Sequence, residues 1–247
     1  MSKIIPGLVS VTFRKLSPGE IIELCKKAGV STIEWGGDVH AKDEESAKKI
    51  SELMDENGMR SVSLGSYYKA GTGQDFTPVL KTALALRTNN IRIWAGEKNS
   101  EDADDTYRAG VVRDSQNACD AAAKHDISIS FEYHGNTLTN TQQSAVSLLD
   151  EINRANVYTY WQPLNNTDFD QNVKNIKELC DMNKLKNMHV YYWDGGTRLP
   201  LADGISKWKS YFNTAGDLSG AALLEFVIDD NQNNFINDAA ALKEALS

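Results

Sequence analysis

Cysteine is scarce in this chain: Cys25, Cys119 and Cys180 are the only three. They are odd in number and isolated, and each falls in a predicted helix. This leaves neither a disulfide framework nor a ligand-spaced cluster, and they read as reduced core thiols. Basic residues are outnumbered, 26 lysines and arginines against 34 acids, for a formal net charge of -8. With no basic stripe to displace counterions, a phosphate-backbone binder is excluded and no nucleic-acid partner is expected. No apolar run approaches the roughly 18 residues that span a bilayer. The opening Met1-Ser-Lys-Ile-Ile-Pro-Gly has no apolar signal region. No membrane partner is therefore expected, and the expected location is cytoplasmic. No linker of biased composition interrupts the 247 residues, and no Gly-rich phosphate fingerprint follows the first predicted strand.

What is present is an ordinary globular balance, 41% apolar and 24% charged, enough for a sizeable core. Short apolar or alternating segments recur at 8–13, 32–35, 61–64, 91–94, 127–132, 157–161, 188–192 and 222–227. Between them run helical patterns. Ser17-Pro18-Gly-Glu20 is a capping box with proline at the first helical position, and Gly29 ends the helix it opens. Asn57-Gly58 ends a second, and further helices are predicted over 76–86, 103–125, 141–152, 170–182, 205–214 and 235–246. Eight alternations of strand and helix imply parallel strands with right-handed crossovers. The expected fold class is α/β, a (β/α)8 TIM barrel, with residues 1–247 forming a single domain.

The most informative stretch is Ile127-Ser-Ile-Ser-Phe-Glu132-Tyr-His134. Ile127, Ile129 and Phe131 alternate with Ser128, Ser130 and Glu132. One side is thus apolar, and the other is small and then charged at the C-terminal end. In a barrel of this kind function sits at that end of the strands. The other predicted strands end in Phe13, Trp35, Tyr67 and Tyr68, Trp94, Trp161 and Gln162, His189 through Trp193, and Glu225. The aromatic residues suit the C–H faces of a sugar, or serve to plug the rim.

Glu132, Gln162, His189 and Glu225 are separated by 30, 27 and 36 residues, about one strand–helix unit each. Two carboxylates, an imidazole and an amide oxygen on consecutive strands suit a divalent ion: Mn²⁺, Mg²⁺, Co²⁺ or Zn²⁺. Glu225 lies in Ala-Ala-Leu-Leu-Glu225-Phe-Val, where a buried charge is costly unless paired or metal-bound. For His189 a hydrogen-bonded core histidine is the plainer alternative. Gly195-Gly196-Thr197 beside Arg198 is an anion-binding turn or an ordinary one.

These residues resemble the sugar isomerase and epimerase superfamily that includes xylose isomerase, D-tagatose 3-epimerase, inosose dehydratase and endonuclease IV. The resemblance is carried by Ile33-Glu-Trp-Gly-Gly-Asp-Val-His40, the strand ends at Glu132 and Glu225, His189, and Arg198-Leu-Pro-Leu-Ala-Asp-Gly204 leading to Trp208. It implies a metal-dependent barrel in which Glu132 and Glu225 bind the ion and shuttle the proton. His189 would complete the metal shell, His40 would sit beside the substrate, and Arg198 would hold its oxygens. The expected activity is isomerisation or epimerisation of a small carbohydrate substrate, phosphorylated or not, by proton abstraction through an enediolate. A dehydratase of the inosose or 3-dehydroshikimate type is the alternative, as is a non-catalytic sugar-binding barrel with a degraded metal site. The expected substrate-binding residues are Phe13, Trp35, His40, Tyr67, Tyr68, Trp94, His134, Trp161, Trp193 and Arg198. A homo-oligomer is possible by analogy. One departure stands out: Gln162 occupies the strand-six position where epimerases carry an aspartate ligand.

Overall fold

A computed structural model describes residues 4–164 and 167–247. The first three residues of the segment read above for a leader lie outside that range. The chain opens with β1 (Ile5–Val9), α1 (Pro18–Ala28), β2 (Thr32–Gly36), α2 (Glu44–Glu56), β3 (Arg60–Lys69), α3 (Thr77–Ala85), β4 (Asn90–Trp94) and α4 (Asp105–Ala123). Next come β5 (Ser128–Phe131), α5 (Gln142–Ile152), β6 (Val157–Trp161), α6 (Phe169–Asp181) and β7 (Leu185–Val190). A hairpin of β8 (Tyr192–Asp194) and β9 (Thr197–Leu199) precedes α7 (Ile205–Ala215), β10 (Ala221–Leu224) and α8 (Gln232–Leu246). Eight parallel strands close in the order β1-β10-β7-β6-β5-β4-β3-β2. This is the (β/α)8 barrel expected from the alternation. The hairpin is the addition the sequence reading did not anticipate, and Gly195 and Gly196, both at positive φ, form its turn.

Local chemistry sets the helix ends. The Ser17 hydroxyl accepts from the Glu20 amide at 3.4 Å while the Glu20 carboxylate accepts from the Ser17 amide at 2.7 Å, closing the capping box. Gly29 ends α1 in the left-handed region, φ 65°. The same device opens α2, where Asp43 and Ser46 cap each other reciprocally.

Several strand boundaries differ from expectation, among them β3, which runs on to Lys69, and β7, which starts at Leu185; two others bear on the site. The first strand stops at Val9, and Ser10–Phe13 forms a single 3₁₀ turn. The alternating run 8–13 therefore belongs partly to a turn, which swings Thr12 and Arg14 over the barrel mouth. The last barrel strand likewise stops at Leu224, so Glu225 is the first residue beyond it.

Inside the barrel, beneath the mouth, lies a polar layer in place of an apolar plug. The Tyr160 hydroxyl accepts from Asn90 at 3.0 Å and Asn187 at 2.6 Å. Asn90 also bonds Ser63 and Ser130. Every member is buried, so the layer is stable only because its groups satisfy one another. It provides a rigid floor for the groups above.

Candidate active site

The C-terminal ends of β5, β6, β7 and β10 bring four side chains together around one ring nitrogen. His189 Nδ1 lies 3.0 Å from Gln162 Oε1, 3.5 Å from Glu132 Oε1 and 3.3 Å from Glu225 Oε2. Gln162 is oriented by its amide nitrogen, which donates to the Tyr133 carbonyl at 2.8 Å and so turns the oxygen inward. The Tyr160 ring meets the His189 imidazole edge-on, with centroids 5.1 Å apart, and fixes its plane.

Behind this group stand Glu34 from β2 and Arg92 from β4. Arg92 Nε donates to Glu34 Oε1 at 2.7 Å, and its Nη1 donates to Glu132 Oε2. The Trp94 indole gives Glu132 Oε2 a second hydrogen bond at 2.7 Å. Glu34 also faces the far side of the histidine, 3.7 Å from Nε2. Burial pushes the Glu34 carboxyl up, but Arg92 and His189 outweigh it and hold it at about 2. Burial opposes Arg92, His189 and Trp94 in the same way at Glu132, also held at about 2. His189 is driven well above its ordinary range because Glu225, Glu132 and Glu34 overcome its burial.

Three buried carboxylates face one guanidinium and one imidazole, so two negative charges are left over whenever His189 is neutral, as a ligand imidazole must be. Such an excess is unstable unless something neutralises it. Glu225 Oε2 and His189 Nε2 are also buried without a hydrogen-bond partner. Ligands about 2.1 Å from one tetrahedral ion stand roughly 3.4 Å apart. The distances from Nδ1 to its three oxygens match that spacing. One nitrogen and three oxygens, two of them carboxylate, therefore fit a divalent cation in charge, donor type and spacing.

Above this floor opens a cavity of about 360 Å³. Tyr67, Trp94, His134, Arg14, Arg198, Phe226 and Asp230 are among the residues that line it. His134 stacks on Trp94 with centroids 4.6 Å apart. Its Nδ1 lies 2.6 Å from the Gly135 carbonyl, which accepts a hydrogen bond from Nδ1–H and leaves Nε2 of the neutral ring as an acceptor. Arg14 pairs with Asp38, and Arg198 with Asp230 at 2.8 Å. Tyr67 and Phe226 both hold positive φ, 58° and 56°, a costly conformation for bulky residues that recurs at functional sites.

Residues 22–246 match the family model described as xylose isomerase-like TIM barrel. The chain belongs to that family. A curated relative, 3-dehydroshikimate dehydratase of Bacillus anthracis, is 25% identical over 164 residues, 61% of this chain and 59% of the relative. The crystal structure of a probable 3-DHS dehydratase involved in petrobactin synthesis, also from Bacillus anthracis, superimposes with TM-score 0.79. Its identity is 21%, with 97% of this chain and 98% of that one covered. A D-allulose 3-epimerase from Methylomonas shares the fold at TM-score 0.71 and 17% identity, over 100% of this chain and 99% of that one.

In this xylose isomerase-like barrel the residues singled out from sequence divide cleanly. Glu132, Gln162, His189 and Glu225 converge, and Tyr67, Trp94, His134 and Arg198 reach the cavity wall. The other six pack elsewhere. Phe13 meets Phe235 edge-on, and Tyr68 packs on Phe76 and donates to Asp114 at 2.8 Å. Trp35 and Trp161 are wholly buried, the latter against Trp208 and Tyr211. His40 has both ring nitrogens engaged, with Ser10 at 2.9 Å and the Leu16 carbonyl at 3.2 Å, so it braces the rim from behind. Trp193 lines a separate aromatic cavity of about 540 Å³ beside α7, which carries none of the carboxylates above. Sequence reasoning placed Glu34 at the end of the second strand without giving it a role, and missed Arg92. The signal was a charge inside an apolar strand, Asn90-Ile-Arg92-Ile-Trp, the same signal that marked Glu225.

Proposed function

We propose that this protein is a divalent-cation-dependent lyase that dehydrates a small polyhydroxylated ketone of the 3-dehydroshikimate type. Glu132, Gln162, His189 and Glu225 would hold the cation. When bound, it would polarise the substrate's carbonyl oxygen and acidify the neighbouring C–H.

The chain's own residues account for the rest. His134 Nε2, left free by the Gly135 carbonyl, faces the cavity beside Trp94 and accepts the proton from the carbon next to the carbonyl. The C–H electron pair forms the new double bond, the β C–O bond breaks, and the proton leaves with the hydroxyl as water. Trp94 and Tyr67 press on one face of the substrate and exclude water, while Arg14 and Arg198 bind its outer oxygens.

The observation that carries this reading is the set of three oxygens around His189 Nδ1, completed by an imidazole aimed at the same cavity. The dehydratase relative supports it. A sugar isomerase or epimerase is the second reading, favoured by Glu132 and Glu225 both turning an oxygen toward His189.

The test is incubation of the protein with Mn²⁺ and 3-dehydroshikimate in deuterium oxide, following absorbance of the unsaturated product. Loss of water, abolished by His134→Gln, is the expected result. Deuterium incorporation into a panel of ketoses without loss of water would favour the epimerase. Full turnover by His134→Gln would remove His134 from the mechanism.

A further inference from the structure

We infer that Arg92 is a positioning residue that fixes Glu132 as a one-oxygen ligand and keeps it out of the proton transfer. The inference rests on the cation-dependent reading above and narrows it to chemistry with a single mobile base.

Its first support is where the donors fall. Glu132 Oε2 receives the Arg92 Nη1 and, at 2.7 Å, the Trp94 indole nitrogen. A carboxylate oxygen has about two lone-pair sites, so Oε2 is filled. Oε1 remains, and it faces His189 Nδ1 at 3.5 Å. For Glu132 to carry a proton, it would have to lose either its buried donors or its place in the ligand set. Glu225 is different: among the described residues it forms no ion pair with a lysine or arginine, and its Oε2 has no hydrogen-bond partner. The two carboxylates that the family resemblance makes equivalent are therefore unequal here.

A second support comes from the neighbouring strand, where Gly65 pairs in register with Arg92. A Cβ placed on Gly65 of β3 would come within 2.6 Å of Arg92 Nη2 and 3.1 Å of Glu34 Oε1. Gly65 leaves the room in which the guanidinium lies between its two partners. Because Glu34 also faces His189 Nε2, one planar group braces a ligand carboxylate and the acid behind the ligand imidazole. Such a fork needs arginine, since the single ammonium of lysine does not reproduce its fixed geometry.

The experiment is Mn²⁺ titration of the full chain by electron paramagnetic resonance, comparing wild type with Arg92→Met, Arg92→Lys and Gly65→Ala. Folding is checked by near-ultraviolet circular dichroism. Loss of an outer partner to a metal ligand typically weakens affinity about 10- to 100-fold, and this is expected of Arg92→Met, with Arg92→Lys recovering only part. Gly65→Ala keeps every charge, so it reports on the clamp even if Arg92→Met fails to fold, and it should weaken Mn²⁺ in the same direction. Folded variants that bind Mn²⁺ within twofold of wild type, with only KM raised, would make Arg92 a substrate contact and overturn the inference. If wild type itself binds no Mn²⁺, the cation-dependent reading fails instead. Crystal structures of wild type and Gly65→Ala then decide on the clamp: a displaced Glu132 carboxylate sustains it and an unmoved one overturns it.

Discussion

Gln162 presents a neutral oxygen where charge would bind a cation more tightly. Its amide also donates to the Tyr133 carbonyl, so the side chain serves two masters, and Gln162→Glu should separate them. The variant is expected to bind Mn²⁺ more tightly, because a third carboxylate joins the set. It should also be less stable, by about 1–3 kcal/mol, because the Tyr133 carbonyl loses its donor. Calorimetric titration and thermal melting check the two halves. Unchanged Mn²⁺ affinity would place Gln162 Oε1 outside the ligand set.

Individual elements show how much was legible beforehand. Glu225 stood out because a carboxylate in Ala-Ala-Leu-Leu-Glu-Phe-Val has to be paired. Arg92 sits in an equally apolar strand, but its partners come from β2 and β5, 58 and 40 residues away. No periodicity reports such pairing. The first strand was overextended because Val9-Ser-Val-Thr-Phe13 keeps a two-residue alternation through what the backbone turns into 3₁₀. Helix ends were more legible, since capping is local. Asp43 shows the consequence: hydrogen bonds from the backbone and hydroxyl of Ser46 hold its carboxyl below its ordinary value. A lowered folded value means that its stabilisation of α2 is complete above the ordinary carboxylate range, about 3.9. It is lost as pH falls through the folded value. Melting curves of wild type and Asp43→Ala should therefore differ at pH 7 and converge as the solution is acidified below about pH 4. A constant difference would contradict the cap.

At the scale of the whole molecule, closure of the ring depends on β1, inserted between β10 and β2. Gly7 sits at that seam opposite Leu223 and Thr32, where a Cβ would meet Leu223 Cδ2 at 2.5 Å and the Thr32 carbonyl at 2.9 Å. The side chain can turn aside, but the carbonyl belongs to the barrel wall. Gly7→Ala should cost about 1–3 kcal/mol by chemical denaturation and lower cation affinity only indirectly. Stability equal to wild type would mean the seam is looser than its geometry. Alternating patterns made the closed barrel legible, and the strand ends made the convergence of Glu132, Gln162, His189 and Glu225 legible. The six aromatic and imidazole side chains that turned away from the cavity were not, because a rim residue and a lining residue share the same place in sequence.

The proposed chemistry depends on whether the four converging side chains hold a cation. Equilibrium binding of Mn²⁺ to the purified protein tests this directly, with His189→Ala as control. One ion per chain, lost in His189→Ala, is the predicted result. A folded wild-type protein that takes up no Mn²⁺, Mg²⁺, Co²⁺ or Zn²⁺ at millimolar concentration would contradict it, and the two excess negative charges would then have to be balanced by protons.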